Sequence, residues 1–330
     1  MAEVSLQGIS KTFGKQVALE GVDMTIPDGA FVVLLGPTGA GKTTTLRMVS
    51  GLDKPDSGKV LINGQDVAGQ SPAERNMAMV FQQYSLYPHL TVRQNLEFPL
   101  KSPMLRTPAD EIKHKVAEVA EVLQISHKLD NKATELSGGE MQRVSIGRAL
   151  VRNPQIYLMD EPLSSLDAKL RSDLRIELKR IQASLGATML YVTHDQIEAM
   201  TMATHVGVLD HGKLVQFGPP REVYENPVSI YAASRLGSPK INILPADMFP
   251  DAPIGATKIG LRPEHIQLGE GQAARVVRVE HLGDQTRLHL NLNGAALITL
   301  TEPHSRLAKG DNLKIAPLSP LFFNATGDRI

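Results

Sequence analysis

The segment Gly36-Pro37-Thr38-Gly39-Ala40-Gly41-Lys42-Thr43 separates a first glycine by four residues from Gly-Lys-Thr, the spacing of a loop that holds phosphate. Its glycines let successive backbone N–H groups curl around phosphate oxygens, and a helix that follows offers its positive end to the same anion. Lys42 is placed to reach β- and γ-phosphates, and the Thr43 hydroxyl, with Thr44 beside it in the cradle, to ligate Mg²⁺. A glycine-rich turn before a helix would need fewer of these residues. A second chemistry stands at Ile156-Tyr157-Leu158-Met159-Asp160-Glu161, where an apolar run ends in adjacent carboxylates. Asp160 suits a metal ligand. Glu161, turned the other way by strand alternation, suits a general base that polarises water. Paired acids also cap elements; beside a phosphate loop in the same chain, the catalytic reading is preferred.

These groups need rigid supports. Phe31-Val32-Val33-Leu34-Leu35 runs unbroken into the glycine-rich loop and reads as a strand buried on both faces, as parallel strands are; Ile156 to Met159 and Met189 to Val192 read the same. Between the last two, Leu170, Leu174, Leu178, Ile181 and Leu185 recur at helical spacing, with Gly186 as the C-terminal cap. Strand, helix and strand predict a parallel α/β core. The first 30 residues alternate, which predicts an antiparallel edge sheet. Ile112, Val116, Val119 and Leu123 mark a helix in a stretch from Pro103 to Glu135 without a convincing strand, so a helical subdomain is expected at about 84–150. Asn63-Gly64 and His211-Gly212 read as hairpin turns. Composition changes near Gly237-Ser238-Pro239, after which short alternating strands, including Leu288, Leu290 and Leu292 before Asn293-Gly294, predict a small all-β barrel. The expected domains are 1–235 and 236–330.

The 330 residues fit a larger domain with a smaller appendage. With 35 basic and 35 acidic residues, no global field draws the chain to nucleic acid or anionic lipid. The absence of cysteine removes disulfides, thiolate metal sites and cysteine nucleophiles. The start lacks the basic flank and apolar stretch of a signal peptide, and no apolar run approaches the roughly 18 residues of a spanning helix. A role in transport would depend on other chains.

Leu136-Ser137-Gly138-Gly139-Glu140-Met141-Gln142-Arg143 opens another helical pattern, with Ser137 where an anion can sit on a helix N-terminus or where an ordinary cap would stand. About 20 residues before the strand ending in Asp-Glu, this segment resembles the signature of the ABC ATPases. The resemblance covers roughly residues 1–235. It implies that Ser137, Gly138, Gly139 and Glu140 complete a nucleotide site on an opposite protomer, that Phe13 stacks on adenine, and that Gln82 touches Mg²⁺ and the attacking water. It likewise implies that Asp167, in Leu163-Ser164-Ser165-Leu166-Asp167, communicates across the dimer and that His194, in Thr193-His194-Asp195, lies near the γ-phosphate. Tyr84 to Asn95 and Met159 to Arg171 further resemble the ATP-binding subunits of maltose-type carbohydrate importers. Gly237-Ser238-Pro239 and Gly260-Leu261-Arg262-Pro263-Glu264-His265 resemble their OB-like, transport-associated (TOBE) regulatory domain.

The resemblance therefore implies a P-loop α/β ATPase with a TOBE appendage, ATP and Mg²⁺ as ligands, and a nucleotide-sandwich homodimer. It also implies two membrane-spanning permease subunits, an extracytoplasmic solute-binding protein as an indirect partner, and residence on the cytoplasmic face of the plasma membrane. A soluble ABC ATPase of DNA repair or translation is the alternative. Such proteins carry paired cassettes or long coiled-coil insertions, which this chain lacks, and neutral charge argues against nucleic acid.

Overall fold

In the computed structural model, which describes residues 2–103 and 105–330, the alternating start forms β1 (Val4–Phe13) and β2 (Gln16–Ile26), an antiparallel pair. β3 (Phe31–Leu35), buried at every residue, leads through the P-loop into α1 (Lys42–Ser50). β4 (Ser57–Ile62) and β5 (Gln65–Asp66) turn on Asn63 and Gly64, both at positive φ as this hairpin requires. Then come β6 (Met77–Val80), α2 (Val92–Glu97), α3 (Ala109–Val122) and α4 (Gly138–Leu150). β7 (Ile156–Asp160), α5 (Ala168–Leu185), β8 (Thr188–Thr193), α6 (Gln196–Met202), β9 (His205–Asp210) and β10 (Lys213–Gly218) complete the first unit, which ends at Pro220.

The edge sheet runs β2-β1-β4-β5 and the central sheet β10-β9-β3-β8-β7-β6. In the central sheet β9, β3, β8, β7 and β6 are parallel, and β10 is an antiparallel edge turned on His211-Gly212. Leu46, Met48 and Val49 of α1 share one core with Leu6 and Leu19 of the edge sheet and with Leu34, Leu158 and Leu190 of the central sheet. Each such side chain contributes about 1.5–3 kcal/mol on burial. The core therefore grips the helix behind the P-loop from two sides. Arg75, 5% exposed, caps the far end of that helix by donating to the carbonyls of Met48 and Val49, both at 2.8 Å, and to that of Val67 at 3.0 Å.

The α5 stripe buries Leu174, Leu178 and Ile181 and ends at Gly186, at φ 59°, as expected. Leu185 departs from the expectation: it is 41% exposed, on an apolar cleft of about 430 Å³ shared with Val119 and Val122. From 103 to 135, no strand occurs among the described residues.

The second unit starts at Arg221, ahead of the boundary expected at 235/236. Hydrogen bonding explains the shift. α7 (Pro220–Glu225) and α8 (Ile230–Arg235) precede the composition change. Yet Arg262, 2% exposed, donates to the carbonyls of Tyr224, Ala233 and Leu236, and Ile230 N–H donates to Gly327 O at 2.8 Å. The strands β11 (Asn242–Pro245), β12 (Lys258–Leu261), β13 (Ile266–His281), β14 (Thr286–Leu292), β15 (Ala295–Thr301), β16 (Asn312–Pro317) and β17 (Leu321–Phe323) follow. They form sheets β11-β12-β17 and β15-β14-β13-β16 around one core that includes Leu261, Val276 and Leu290. β13 is long rather than short, because a register shift between Leu268 and Gln272 lets it bend without ending.

Candidate nucleotide site

Four segments that carry predicted site residues leave the carboxyl ends of neighbouring parallel strands: the P-loop after β3, Gln82 after β6, Glu161 after β7 and His194 after β8. This end of an open α/β sheet is where ligands bind. A cavity of about 310 Å³ lies there, and Thr38, Gly39, Gly41, Lys42, Thr43, Thr44, Gln82, Glu161 and Phe13 line it. Gly41 stands at the N-cap of α1 with φ 103°, and a Cβ on it would meet Ala18 O at 2.7 Å, so only glycine fits. Ala40 is buried behind the loop, and its carbonyl accepts from Gly212 N–H at 3.1 Å. The Lys42 ammonium donates to the carbonyls of Gly36 (2.9 Å) and Pro37 (3.1 Å) and stands 3.5 Å from Glu161 Oε1.

Thr43 Oγ1 donates to Asp160 Oδ1 at 2.9 Å. Burial pushes the Asp160 carboxyl above the ordinary carboxylate range, with the Thr43 hydrogen bond pulling the other way. A hydroxyl and a carboxylate in contact, with the Gln82 amide on the same cavity, form a hard oxygen donor set that fits Mg²⁺. Glu161 corrects one expectation. It has left strand geometry, at φ 44°, with its N–H on Val192 O at 3.1 Å, so a backbone turn after the strand, and not alternation within it, aims the side chain. Its Oε2 lies 3.1 Å from His194 Nδ1. Glu161 and His194 thus form one pair.

The signature residues lie elsewhere. Ser137, Gly138, Gly139, Glu140 and Asp167 are all outside the cavity lining. Ser137 caps α4: its Oγ accepts from Glu140 N–H at 3.4 Å and donates to Glu140 Oε2 at 2.8 Å, and its N–H donates to the same oxygen at 2.8 Å. That backbone bond foremost holds the Glu140 carboxyl below its ordinary range, and Lys128 lies 3.1 Å from Oε1. Glu140, expected beside a nucleotide, is turned back onto Ser137. Asp167 caps α5 by accepting from Leu170 N–H at 3.0 Å. The Leu170 side chain covers Gly139, where a Cβ would come within 2.1 Å of it. Gln16 and Ala18 also line the cavity and escaped the sequence reading; the place of Gln16 opposite Phe13, across a tight turn, was the available signal.

Residues 19–164 match the ABC transporter family and residues 259–318 the TOBE domain. The sn-glycerol-3-phosphate import ATP-binding protein UgpC 2 of Rhizobium johnstonii is 43% identical, over 100% of this chain and 99% of that one. The trehalose/maltose import ATP-binding protein MalK of Thermococcus litoralis is 42% identical over 94% of each. Among solved structures, the dimeric structure of a bacterial ABC transporter cassette is similar, with a TM-score of 0.60 and 31% identity over 66% of this chain and 99% of that chain. Family matches, relatives and fold agree with the geometry at the strand ends: the chain belongs to the ABC transporter family, as an ATP-binding subunit with ATPase activity and a C-terminal TOBE domain.

Proposed function

We propose that the chain works as a homodimer on the cytoplasmic face of the plasma membrane, hydrolysing ATP to drive uptake of a sugar or polyol derivative. Two separate permease subunits would supply the path, and an extracytoplasmic binding protein would deliver the solute. One observation carries this reading: the signature residues lie outside the cavity of the P-loop, so a complete site needs the signature of a second copy. The dimeric cassette among similar structures supports it, as do relatives named for import of sn-glycerol-3-phosphate and of trehalose or maltose. Among the described residues no helix is long and apolar enough to cross a membrane, in keeping with separate permease subunits.

In this reading ATP lies between the P-loop of one copy and Ser137, Gly138 and Gly139 of the other. Lys42 shifts from the loop carbonyls to the β- and γ-phosphates. Thr43, Asp160 and Gln82 would hold Mg²⁺, which would supply positive charge against the phosphate oxygens. Glu161 takes the proton of the attacking water, and His194, already bonded to Glu161, fixes its direction. Catalysis is then mostly positional and electrostatic. The segment from Gln82 to His89 passes closure to the membrane subunits. The test is co-purification of permease and binding partners, followed by measurement of which solutes stimulate ATP hydrolysis. Stimulation by a sugar or polyol derivative supports the reading, and indifference to every such solute removes the importer assignment.

A further inference from the structure

The phosphate cavity has a second wall of different chemistry, made by Phe13, Gln16 and Ala18. All three belong to one hairpin. Phe13 and Gln16 are paired directly across the tight turn at Gly14-Lys15, which puts their side chains on one face, and Ala18, the unpaired residue where the register shifts, lines the same cavity. The hairpin abuts the P-loop, since Ala18 O is the atom that a Cβ on Gly41 would strike. Phe13 is 47% exposed, with the Lys11 ammonium over its ring at 5.4 Å from the centroid, and its exposed aromatic surface can stack on a flat heterocycle.

Gln16 adds what a stacking platform lacks. Among the described residues its side-chain amide makes no hydrogen bond, whereas Lys42, Thr43 and Glu161 at the phosphate end are engaged with neighbours. An amide presents a donor and an acceptor side by side. Along its N7 edge adenine presents the complementary pair, the N6 amino donor beside the N7 acceptor; on the same edge guanine presents two acceptors, O6 and N7, and leaves the amide oxygen unmatched.

We propose that Gln16 is a specificity-determining residue, which reads the edge of the base stacked on Phe13 and favours adenine over guanine. The proposal rests on the nucleotide site described above. The test is steady-state hydrolysis of ATP and GTP by the full chain. The wild type should prefer ATP. Gln16→Ala should lower kcat/KM for ATP about tenfold, leave kcat at saturating ATP unchanged, and leave kcat/KM for GTP unchanged. ADP should weaken as an inhibitor by the same factor, because it carries the same base. Gln16→Glu, which keeps an acceptor and loses the donor, should fall between. An unchanged ATP-to-GTP ratio in Gln16→Ala, or a loss confined to kcat, overturns the assignment. Lys42→Ala in the same assay separates two failures. If Lys42→Ala hydrolyses ATP like the wild type, the site itself is misplaced. If Lys42→Ala is inactive while Gln16→Ala matches the wild type, only the base reading falls.

Discussion

The P-loop and the signature segment are both glycine-rich helix starts, yet the fold treats them differently. Around the P-loop, residues from three strand ends face one cavity, and Lys42, Thr43, Asp160, Glu161 and His194, the last from a fourth strand end, are linked by contacts that reach across the sheet. At the signature, Ser137 and Glu140 satisfy each other within one turn. The first arrangement needs the whole core to exist, and it is made by one chain. The second is complete in itself. Position within the sheet, and not residue type, decides which half is built in advance.

The contrast can be broken most severely at Glu161. Glu161→Gln should cut ATP turnover by about 10²–10⁴-fold while ATP still binds and traps a dimer, visible by size-exclusion chromatography with nucleotide; normal turnover would remove the base assignment. Ser137→Arg comes next. It should leave binding of a fluorescent nucleotide to the chain intact and lower hydrolysis on the order of 10²-fold, and surviving turnover would mean that the signature works elsewhere. Asp167→Ala removes the cap of α5, and denaturant titration should show a loss of about 1 kcal/mol. Glu140→Gln sharpens the comparison most gently: glutamine preserves the capping box on Ser137, so denaturant titration should show stability moving by less than about 0.5 kcal/mol.

A buried carboxylate apart from both halves gives a control. Burial, foremost, pushes Glu198 up, and Tyr191 donates to it at 2.9 Å. The folded chain therefore keeps this proton to higher pH than the unfolded chain, whose ordinary value is 4.5. The group favours the fold at low pH, and that contribution is lost as pH rises from 4.5 through the raised value. Glu198→Gln should flatten that fall in melting temperature and leave ATP turnover in place.

Much of this was legible in the residues. The loop spacing, the three apolar runs and the Asn-Gly turns are local signals, and their elements stand where those signals put them. What escaped depends on partners distant in sequence. Glu161 looked like the next residue of a strand, but its turn is fixed by Val192, on β8. The second unit starts early because Arg262 reaches back to Tyr224 and Ala233, an attachment that composition does not record. Leu185 fits the helical stripe, yet the core ends before its turn. Glu140 fits the signature pattern, but its carboxylate accepts from the N–H and the hydroxyl of Ser137, three residues back.

Arg75 has an effect that reaches beyond packing. Its guanidinium sits on the last carbonyls of α1, the negative pole of the helix whose other end carries Lys42 and the phosphate cradle. A fixed cation there, shielded from water, neutralises one pole and leaves the positive pole as the unbalanced one. The distance is about 13 Å along nine residues of helix. The helix behind the loop is thus anchored in part at its opposite end, by a residue outside the cavity lining.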